Sequence, residues 1–318
     1  MERDLKRAET IALLECFLAI TLWGVSFLFM KIALRELSTA TVIVFRYALG
    51  TLLVGVVSWQ RGEFARGSFK DIKALALLGA VGISLQQMLQ VSGQVTADVG
   101  VAAFLAATAP AFTVILAAVW LHERLSRMQA VGVLLASLGG IVVAVGGDFS
   151  SLLAGKTLHT LPGNILILLS SVVWAVFIIL SKRAVRNRPS AFVTSGTFFF
   201  GMLFSLPLFV YGRGWEEFSR LSPGGWSAIL HLGVLMTAVA YMLNSHALKH
   251  ISATRVAVVQ NTEPLIAMIA AAVFMGEPVT GAILAGGAAI LGGVYLAERS
   301  GGSGAAPREE RQKRGVPD

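Results

Sequence analysis

Glu263 lies in the middle of a long apolar run, in the string QNTEP that closes with Pro264. A carboxylate at the centre of a bilayer costs about 2.5–3.5 kcal/mol on insertion scales unless it is paired, hydrated or protonated. Such a group can hold a substrate ammonium or carry a coupling proton. It can equally bond backbone freed by Pro264, which lacks an N–H and disrupts the preceding turn. Gln260 and Asn261 are within one turn of it. They either share a cavity with Glu263 or act as packing glue between helices, worth about 1 kcal/mol each.

Other polar residues sit in equally apolar surroundings. Arg46 falls about seven residues into the second apolar stretch, and an arginine there must meet a cavity, a carboxylate or carbonyl groups. Its planar fork suits a substrate carboxylate. A structural ion pair and snorkelling to the surface are the competing readings. The third stretch carries Gln86, Gln87 and Gln90; Gln86 and Gln90 are four apart and share a helix face. Three amides cannot all face lipid cheaply. Asn244 and His246 are close together in the eighth stretch. His246 titrates near neutral pH and is a second candidate for proton coupling, although its place near a span end also fits simple solvation. Trp23 and Trp174 lie near mid-stretch, away from the interfaces where tryptophan usually anchors, so they either shape a cavity or pack the core. The candidate substrate-binding set is thus Trp23, Arg46, Gln86, Gln90, Trp174, Asn244, Gln260, Asn261 and Glu263, with Glu263 and His246 for proton coupling.

The elements that must position these residues follow from composition. Of 318 residues, 55% are hydrophobic and 14% charged, against about 25% charged in an average soluble domain. Disorder is excluded, and a soluble fold is strongly disfavoured. Ten apolar stretches run roughly 11–30, 39–59, 73–93, 98–121, 128–147, 163–181, 191–211, 226–247, 254–275 and 279–297. Each suits the ~20-residue helix that a bilayer core requires. Period-two alternation is absent, which argues against a barrel. The first stretch has no signal-peptide cleavage site and is followed by more spans. The expected fold is an all-α membrane protein of ten transmembrane helices.

Charge placement orients it. With the N-terminus inside, 20 lysines and arginines fall in inside segments, 5 in outside segments, and Arg46 alone lies within a span. That asymmetry puts both termini in the cytoplasm, and the net charge of +8 serves a membrane rather than nucleic acid. Segment 299–318 is rich in Gly, Ser, Pro and charge, the signature of a disordered cytoplasmic tail.

The two halves resemble one another. WGVSFLFMK, Trp23 to Lys31, matches WAVFIILSK, Trp174 to Lys182, at an offset of 151. Pro110 matches Pro264, and Glu123 matches Glu277, at an offset of 154. Five spans per half force the second half upside down, giving inverted repeats over 1–148 and 149–298 with a site near the midplane between them. At the same offset Gln260, Asn261 and Glu263 fall opposite Ala106, Ala107 and Ala109, so one wall is small where the other is polar. Gln90 falls opposite Asn244. Lys31 and Lys182 are read mainly as interface anchors, and Glu15 as reaching the cytoplasmic interface. Glu123 and Glu277 are read as charges at the N-termini of the fifth and tenth helices.

With these features the sequence resembles the drug/metabolite transporter superfamily, specifically its ten-helix EamA-type exporters. The resemblance rests on Trp23-Gly24 with Lys31, on Arg46 within FRYALG, and on the segments PAFTVILAAVWLHERL and PLIAMIAAAVFMGEPV. It covers about residues 11–298. It implies export of amino acids or related small metabolites. It also implies a central cavity lined by helices one to four and six to nine, with helices five and ten at the periphery.

Rival classes fare worse. No Walker phosphate loop occurs. No Gly-x-Ser-Gly nucleophile occurs, and His122-Glu123 is not followed by the second histidine of a zinc protease. Asp71, Asp98 and Asp148 are isolated at span ends and cannot form the Mg²⁺-diphosphate clusters of prenyl transfer. Cys16 is the only cysteine, so no intrachain disulfide and no cysteine-based metal cluster can form, and no metal or cofactor is expected. A channel usually needs an oligomeric ring or filter. The expectation is a non-enzymatic secondary transporter of the inner membrane that handles a small molecule. The alternatives are an intramembrane enzyme, or a multidrug, nucleoside or sugar transporter of the same superfamily. Small residues at 132, 136, 140 and 144, and at 281, 285, 289, 293 and 297, form ladders for close helix packing. Packing within the chain is the favoured use; a homodimer stays open.

Overall fold

The computed structural model describes residues 2–63, 69–120, 125–147, 159–184, 188–247, 250–251 and 253–301. Among them every regular element is helical. Eight segments are long and apolar enough to cross a membrane: Glu9–Ala33, Thr39–Gln60, Asp71–Thr96, Val99–Trp120, Arg127–Val145, Leu161–Ser181, Ala191–Tyr211 and Pro223–Asn244. Two further apolar helices, Glu263–Met275 and Gly281–Ala297, are shorter.

Several of these segments are composite. In chain order the helices are α1 (Glu2–Ala33), α2 (Thr39–Gln60), α3 (Phe69–Leu78), α4 (Gln86–Thr96), α5 (Val99–Ala106), α6 (Ala109–Trp120) and α7 (Arg127–Val145). They continue with α8 (Leu161–Ala184), α9 (Ser190–Tyr211), α10 (Pro223–Leu230), α11 (Ala240–Ala247), α12 (Ala253–Gln260), α13 (Glu263–Met275) and α14 (Gly281–Gly301). A π-helical segment, π1 (Gly79–Leu85), joins α3 to α4, and a second, π2 (His231–Val239), joins α10 to α11. A short 3₁₀ turn, Gly214–Arg220, follows α9. α14 runs on past residue 299, where a disordered tail was expected to begin; 302–318 lie outside the described residues.

Local chemistry sets the boundaries. Ser38 caps α2 by accepting from the Thr41 amide, and Ser126 with Gln129 forms a reciprocal capping box at α7. α7 and α13 end on glycines in the left-handed region, Gly146 at φ 66 and Gly276 at φ 68.

The packing follows a pattern. α1 lies along α10, π2 and α11 and along α13; α8 lies along α4 and along α5 and α6. α2 packs on α9, and α7 on α14. The contacts of α1 with π2 and α11 and those of α8 with π1 and α4 correspond, element for element, at offsets of 151–154 residues. The irregularities repeat as well. α5 and α6 are separated at Ala107 and Thr108, and α12 and α13 at Asn261 and Thr262, 154 residues on. At both breaks the threonine hydroxyl bends back onto backbone: Thr108 Oγ1 donates to the Leu105 carbonyl and Thr262 Oγ1 to the Val259 carbonyl, each at 2.6 Å.

The small-residue ladders are used within the chain. A Cβ on Gly139 would lie 2.6 Å from the Gly286 carbonyl, and one on Gly293 2.5 Å from the Ala136 amide. α7 and α14 therefore touch backbone to backbone. Gly132 and Ala136 meet Gly293 and Ala297 as the ladders require, but further along Gly139 rather than Gly140 meets α14, and Gly281 and Ala285 are exposed. Val131, Leu134, Leu138 and Ile141 cover the outer face of α7 with exposed apolar surface.

Candidate functional site

The break between α12 and α13 interrupts an apolar stretch at Asn261 and Thr262, so Glu263 and Pro264 open a new helix inside it. A helix start carries unbonded N–H groups and positive dipole character, which favours an acidic residue in its first turn. Glu263 occupies that turn. Its side chain is partly accessible and makes no hydrogen bond or ion pair among the described residues. α1 reaches this break through Gly24: a Cβ there would stand 2.8 Å from the Glu263 carbonyl and 2.9 Å from Ile266 Cβ. Only glycine allows that approach. Its neighbour Trp23 donates from Nε1 to the Met236 carbonyl at 3.1 Å and so ties α1 to π2. Asn261 is partly buried and Gln260 is exposed on α12.

A second polar cluster lies next along π2. Arg46 is 5% exposed. Its Nε donates to Thr237 Oγ1 at 2.9 Å, and one terminal nitrogen donates to Gln87 Oε1 at 3.2 Å. Thr237 in turn donates to the Leu232 carbonyl five residues back, within π2. Gln87 Nε2 donates to Gln86 Oε1 at 2.6 Å, and Gln86 Nε2 to Gln90 Oε1 at 2.7 Å. The guanidinium lies 4.9 Å from the Tyr47 ring centroid. No carboxylate pairs with Arg46 among the described residues. Neither snorkelling nor an ion pair describes it.

The remaining candidates stand apart from these two clusters. Trp174 packs on Phe177 with ring centroids 4.9 Å apart, and the Phe177 ring fills the space left by Gly82 in π1. Asn244 is partly buried with its Oδ1 unbonded among the described residues. His246 Nδ1 meets Glu15 Oε2 at 2.6 Å and its ring lies 4.8 Å from that of His250. Glu15 thus bonds α11 rather than reaching a surface alone.

Charged groups tie both ends of the bundle. At the end where α1 begins, Glu15 pairs with His246, Glu9 with Arg255, and Asp71 with Arg188. There too Glu63 accepts from the Phe192 amide at the start of α9, at 3.1 Å. At the opposite end Glu217 accepts from the Ser38 amide at the start of α2, at 2.9 Å. Both acid and amide in this second clasp lie 154 residues from their counterparts in the first. Glu36 accepts from Ser222 Oγ at 2.6 Å and from the Ser222 amide at 2.7 Å. The hydroxyl first, and then the amide, hold the Glu36 carboxyl below the usual carboxylate range.

Two sequence readings are corrected at that end. Lys31 is not a free interface anchor: its ammonium donates to the carbonyls of Gln94, Val95 and Ala97 at 3.1, 3.1 and 2.7 Å and closes the C-terminus of α4. Glu277 does not cap its own following helix. Its two oxygens accept from the Val99 and Gly100 amides at 2.9 and 3.2 Å and so cap α5. The physical reason is that Asp98, the residue preceding α5, makes no side-chain cap bond, whereas Thr280 already serves α14 through the Ile283 amide. Glu123 and the Lys182 side chain lie outside the described residues.

The EamA-like transporter family model matches residues 10–145 and again 161–298. The chain belongs to this family. It is similar to a protein of Streptantibioticus cattleyicolor named "probable terminal-alkyne amino-acid exporter", 27% identical over 285 residues, which cover 89% of this chain and 91% of that protein. It is also similar to an "uncharacterized transporter" of Archaeoglobus fulgidus, 27% identical over 286 residues, 89% of this chain and 96% of the other. A solved crystal structure shares the fold with a TM-score of 0.63 and 21% identity, over 91% of this chain and 96% of that one. The family and these relatives are transporters, and this EamA-like chain is a multi-pass membrane protein.

Within the EamA-like fold the structure links Arg46, Gln86 and Gln90 into one network and sets Asn261 and Glu263 at one break beside Trp23-Gly24. Thr237, Gly24, Glu63 and Glu217 were not among the sequence candidates. The offset of 154 between Glu63 and Glu217 is a signal that could have found that pair. Nothing in the sequence marks Thr237, whose partner Arg46 lies 191 residues away.

Proposed function

We propose that this EamA-like protein is a secondary transporter that exports amino acids or related small metabolites by alternating access, with both termini in the cytoplasm and the inner membrane as its site. In this reading ten helices form two inverted five-helix repeats, 1–148 and 149–298, that rock about a midplane site. The observation that carries it is the helix break at Asn261–Thr262, with Glu263 beside Gly24 and without a side-chain partner among the described residues, and its counterpart at Ala107–Thr108. Discontinuous helices place backbone termini at membrane depth, where transporters bind substrates and coupling ions. The packing pattern and the two π segments, repeated near the same offset, support the repeat. The relative named as an amino-acid exporter supports the substrate class. Glu263 serves as the ammonium or proton site, Trp23 walls it, and Asn261 and Gln260 supply amides. Arg46, Gln86 and Gln90 form the polar wall across π2. Trp174 and Asn244 are assigned to the counterpart side of the pathway, and His246 to its end.

The test is uptake of labelled amino acids into proteoliposomes, with and without a pH gradient, beside Glu263→Gln. Acceleration by the gradient that the variant loses makes Glu263 the proton site of an exchanger. A variant equal to wild type, with no gradient effect, returns Glu263 to a structural role. If no amino acid moves, the substrate class is wrong.

A further inference from the structure

The amide chain next to Arg46 has a direction, and the direction is forced. A guanidinium has N–H donors and no acceptor. Gln87 must therefore turn its oxygen toward Arg46, as it does at 3.2 Å. Its nitrogen then faces away and needs an acceptor, which Gln86 Oε1 supplies at 2.6 Å. Gln86 is left with its nitrogen outward, and this bonds Gln90 Oε1 at 2.7 Å. Each step fixes the next, so Gln90 has its oxygen consumed and presents its NH₂ group. Gln86 and Gln87 are 4% and 8% exposed, while Gln90 is partly accessible. The chain that starts at the buried positive charge thus ends on a partly accessible residue, at Gln90 Nε2. Hydrogen bonds in such a chain polarise one another in the same sense, which strengthens the terminal donor.

We infer that the Arg46–Gln87–Gln86–Gln90 chain is a polarised relay whose terminal amide, Gln90 Nε2, binds the carboxylate of the transported molecule. Gln90 is the contact residue; Arg46, Gln87 and Gln86 are positioning residues. Arg46 has no carboxylate partner among the described residues, and an isolated cation at membrane depth is costly. An anionic group arriving at the donor end of the chain offsets that cost. Molecules that carry only positive charge meet a donor and a buried cation and are rejected. This deepens the functional reading above and rests on it for the location of the pathway.

The experiment uses the purified full chain in detergent with a square of four probes: L-leucine, 4-methylpentanoate, leucinamide and isoamylamine. The first two carry a carboxylate and the last two do not. Binding is read by thermal shift and equilibrium titration for wild type, Gln90→Glu and Gln86→Met. Gln90→Glu keeps the acceptor that Gln86 needs and removes the terminal donor. Gln86→Met cuts the relay without touching the contact residue and serves where the first variant is unstable. Wild type is expected to prefer the two carboxylates. Gln90→Glu should reduce that preference about ten- to hundred-fold, the range for a hydrogen bond to a charged group. Gln86→Met should reduce it by a smaller factor, with binding of the two amines unmoved. Equal binding of all four probes by wild type, binding of none, or an unchanged preference in Gln90→Glu overturns the inference. Carboxylate binding without any leucine transport in liposomes instead overturns the amino-acid export reading and leaves the relay standing.

Discussion

Glu277→Ala separates two accounts of one carboxylate. The sequence places Glu277 just before α14, yet its oxygens hold the Val99 and Gly100 amides at 2.9 and 3.2 Å. Losing an N-cap costs about 0.5–2 kcal/mol. Here the acceptor is charged, both bonds are partly buried, and Asp98 offers no substitute cap. The upper end of that range applies, about 2 kcal/mol, because bonds to charged groups exceed neutral ones. That is roughly a 30-fold shift in the local opening equilibrium. Hydrogen exchange in detergent, read by mass spectrometry, reports such openings segment by segment. Peptides over residues 99–106 should exchange about 30-fold faster in the variant, while those over 281–287 stay as in wild type. Glu277→Gln, which keeps one acceptor and loses the charge, should fall between. Faster exchange in 281–287 with no change in 99–106 would refute the assignment and restore the capping of α14.

Three further outcomes follow from the same geometry. Gly24→Ala places a Cβ 2.8 Å from the Glu263 carbonyl; overpacking of this kind costs about 1–3 kcal/mol, so thermal unfolding should drop and transport should fall, and an unchanged melting curve would contradict the close approach of α1 to the break. Gly139→Val, against the Gly286 carbonyl at 2.6 Å, should destabilise by a similar amount, about 1–3 kcal/mol, whereas Gly281→Val, which meets nothing, should leave the melting temperature in place. The Glu36 carboxyl is held below its ordinary range by Ser222, so its contribution is complete above the unfolded-state value and disappears as the pH falls through the folded-state value. The stability gap between wild type and Glu36→Gln should therefore be present at neutral pH and close on acidification; a gap that widens in acid would reverse the assigned sign.

Hydropathy was sufficient for eight of the ten expected spans, because a bilayer demands long apolar helices and little else produces them. Eight appear at close to their expected positions. The ninth was legible as an apolar run but not as two helices, since a break at Asn261 and Thr262 changes hydrogen bonding without changing hydropathy. The π segments were hidden for the same reason: Gly79–Leu85 and His231–Val239 read as ordinary apolar helix. Polar residues in spans were easy to pick out, but their partners were not. Arg46 and Gln87 are 41 residues apart, and Arg46 and Thr237 are 191 apart, distances that no local pattern encodes. Glu277 shows the opposite failure. Its neighbourhood in sequence pointed to α14, and the nearer unsatisfied amides in space belonged to α5.

The scaffold and its chemistry obey different symmetries. Breaks, π segments and the Glu63 and Glu217 clasps recur near one offset, the pattern expected of the inverted repeats proposed above. Arg46 and Glu263 do not recur. Residue 200, opposite Arg46, is Phe200, and residue 109, opposite Glu263, is Ala109. A substrate in the proposed site therefore meets an amide donor backed by a cation on one wall and a carboxylate on another, whichever side is open. An asymmetric molecule with one anionic and one cationic end has one preferred orientation there. The ties at the ends are unequal too. Glu15–His246 and Glu9–Arg255 join α1 to α11 and α12, and their counterpart positions hold Leu166 with Ser92 and Thr160 with Val101. No equivalent ion pair can form at the opposite end from those residues. Exposed pairs contribute only about 0–1 kcal/mol each, yet two near-degenerate states need no more than that to favour one of them. In this reading a symmetric frame supplies the motion, and a few unmatched side chains set orientation and resting state.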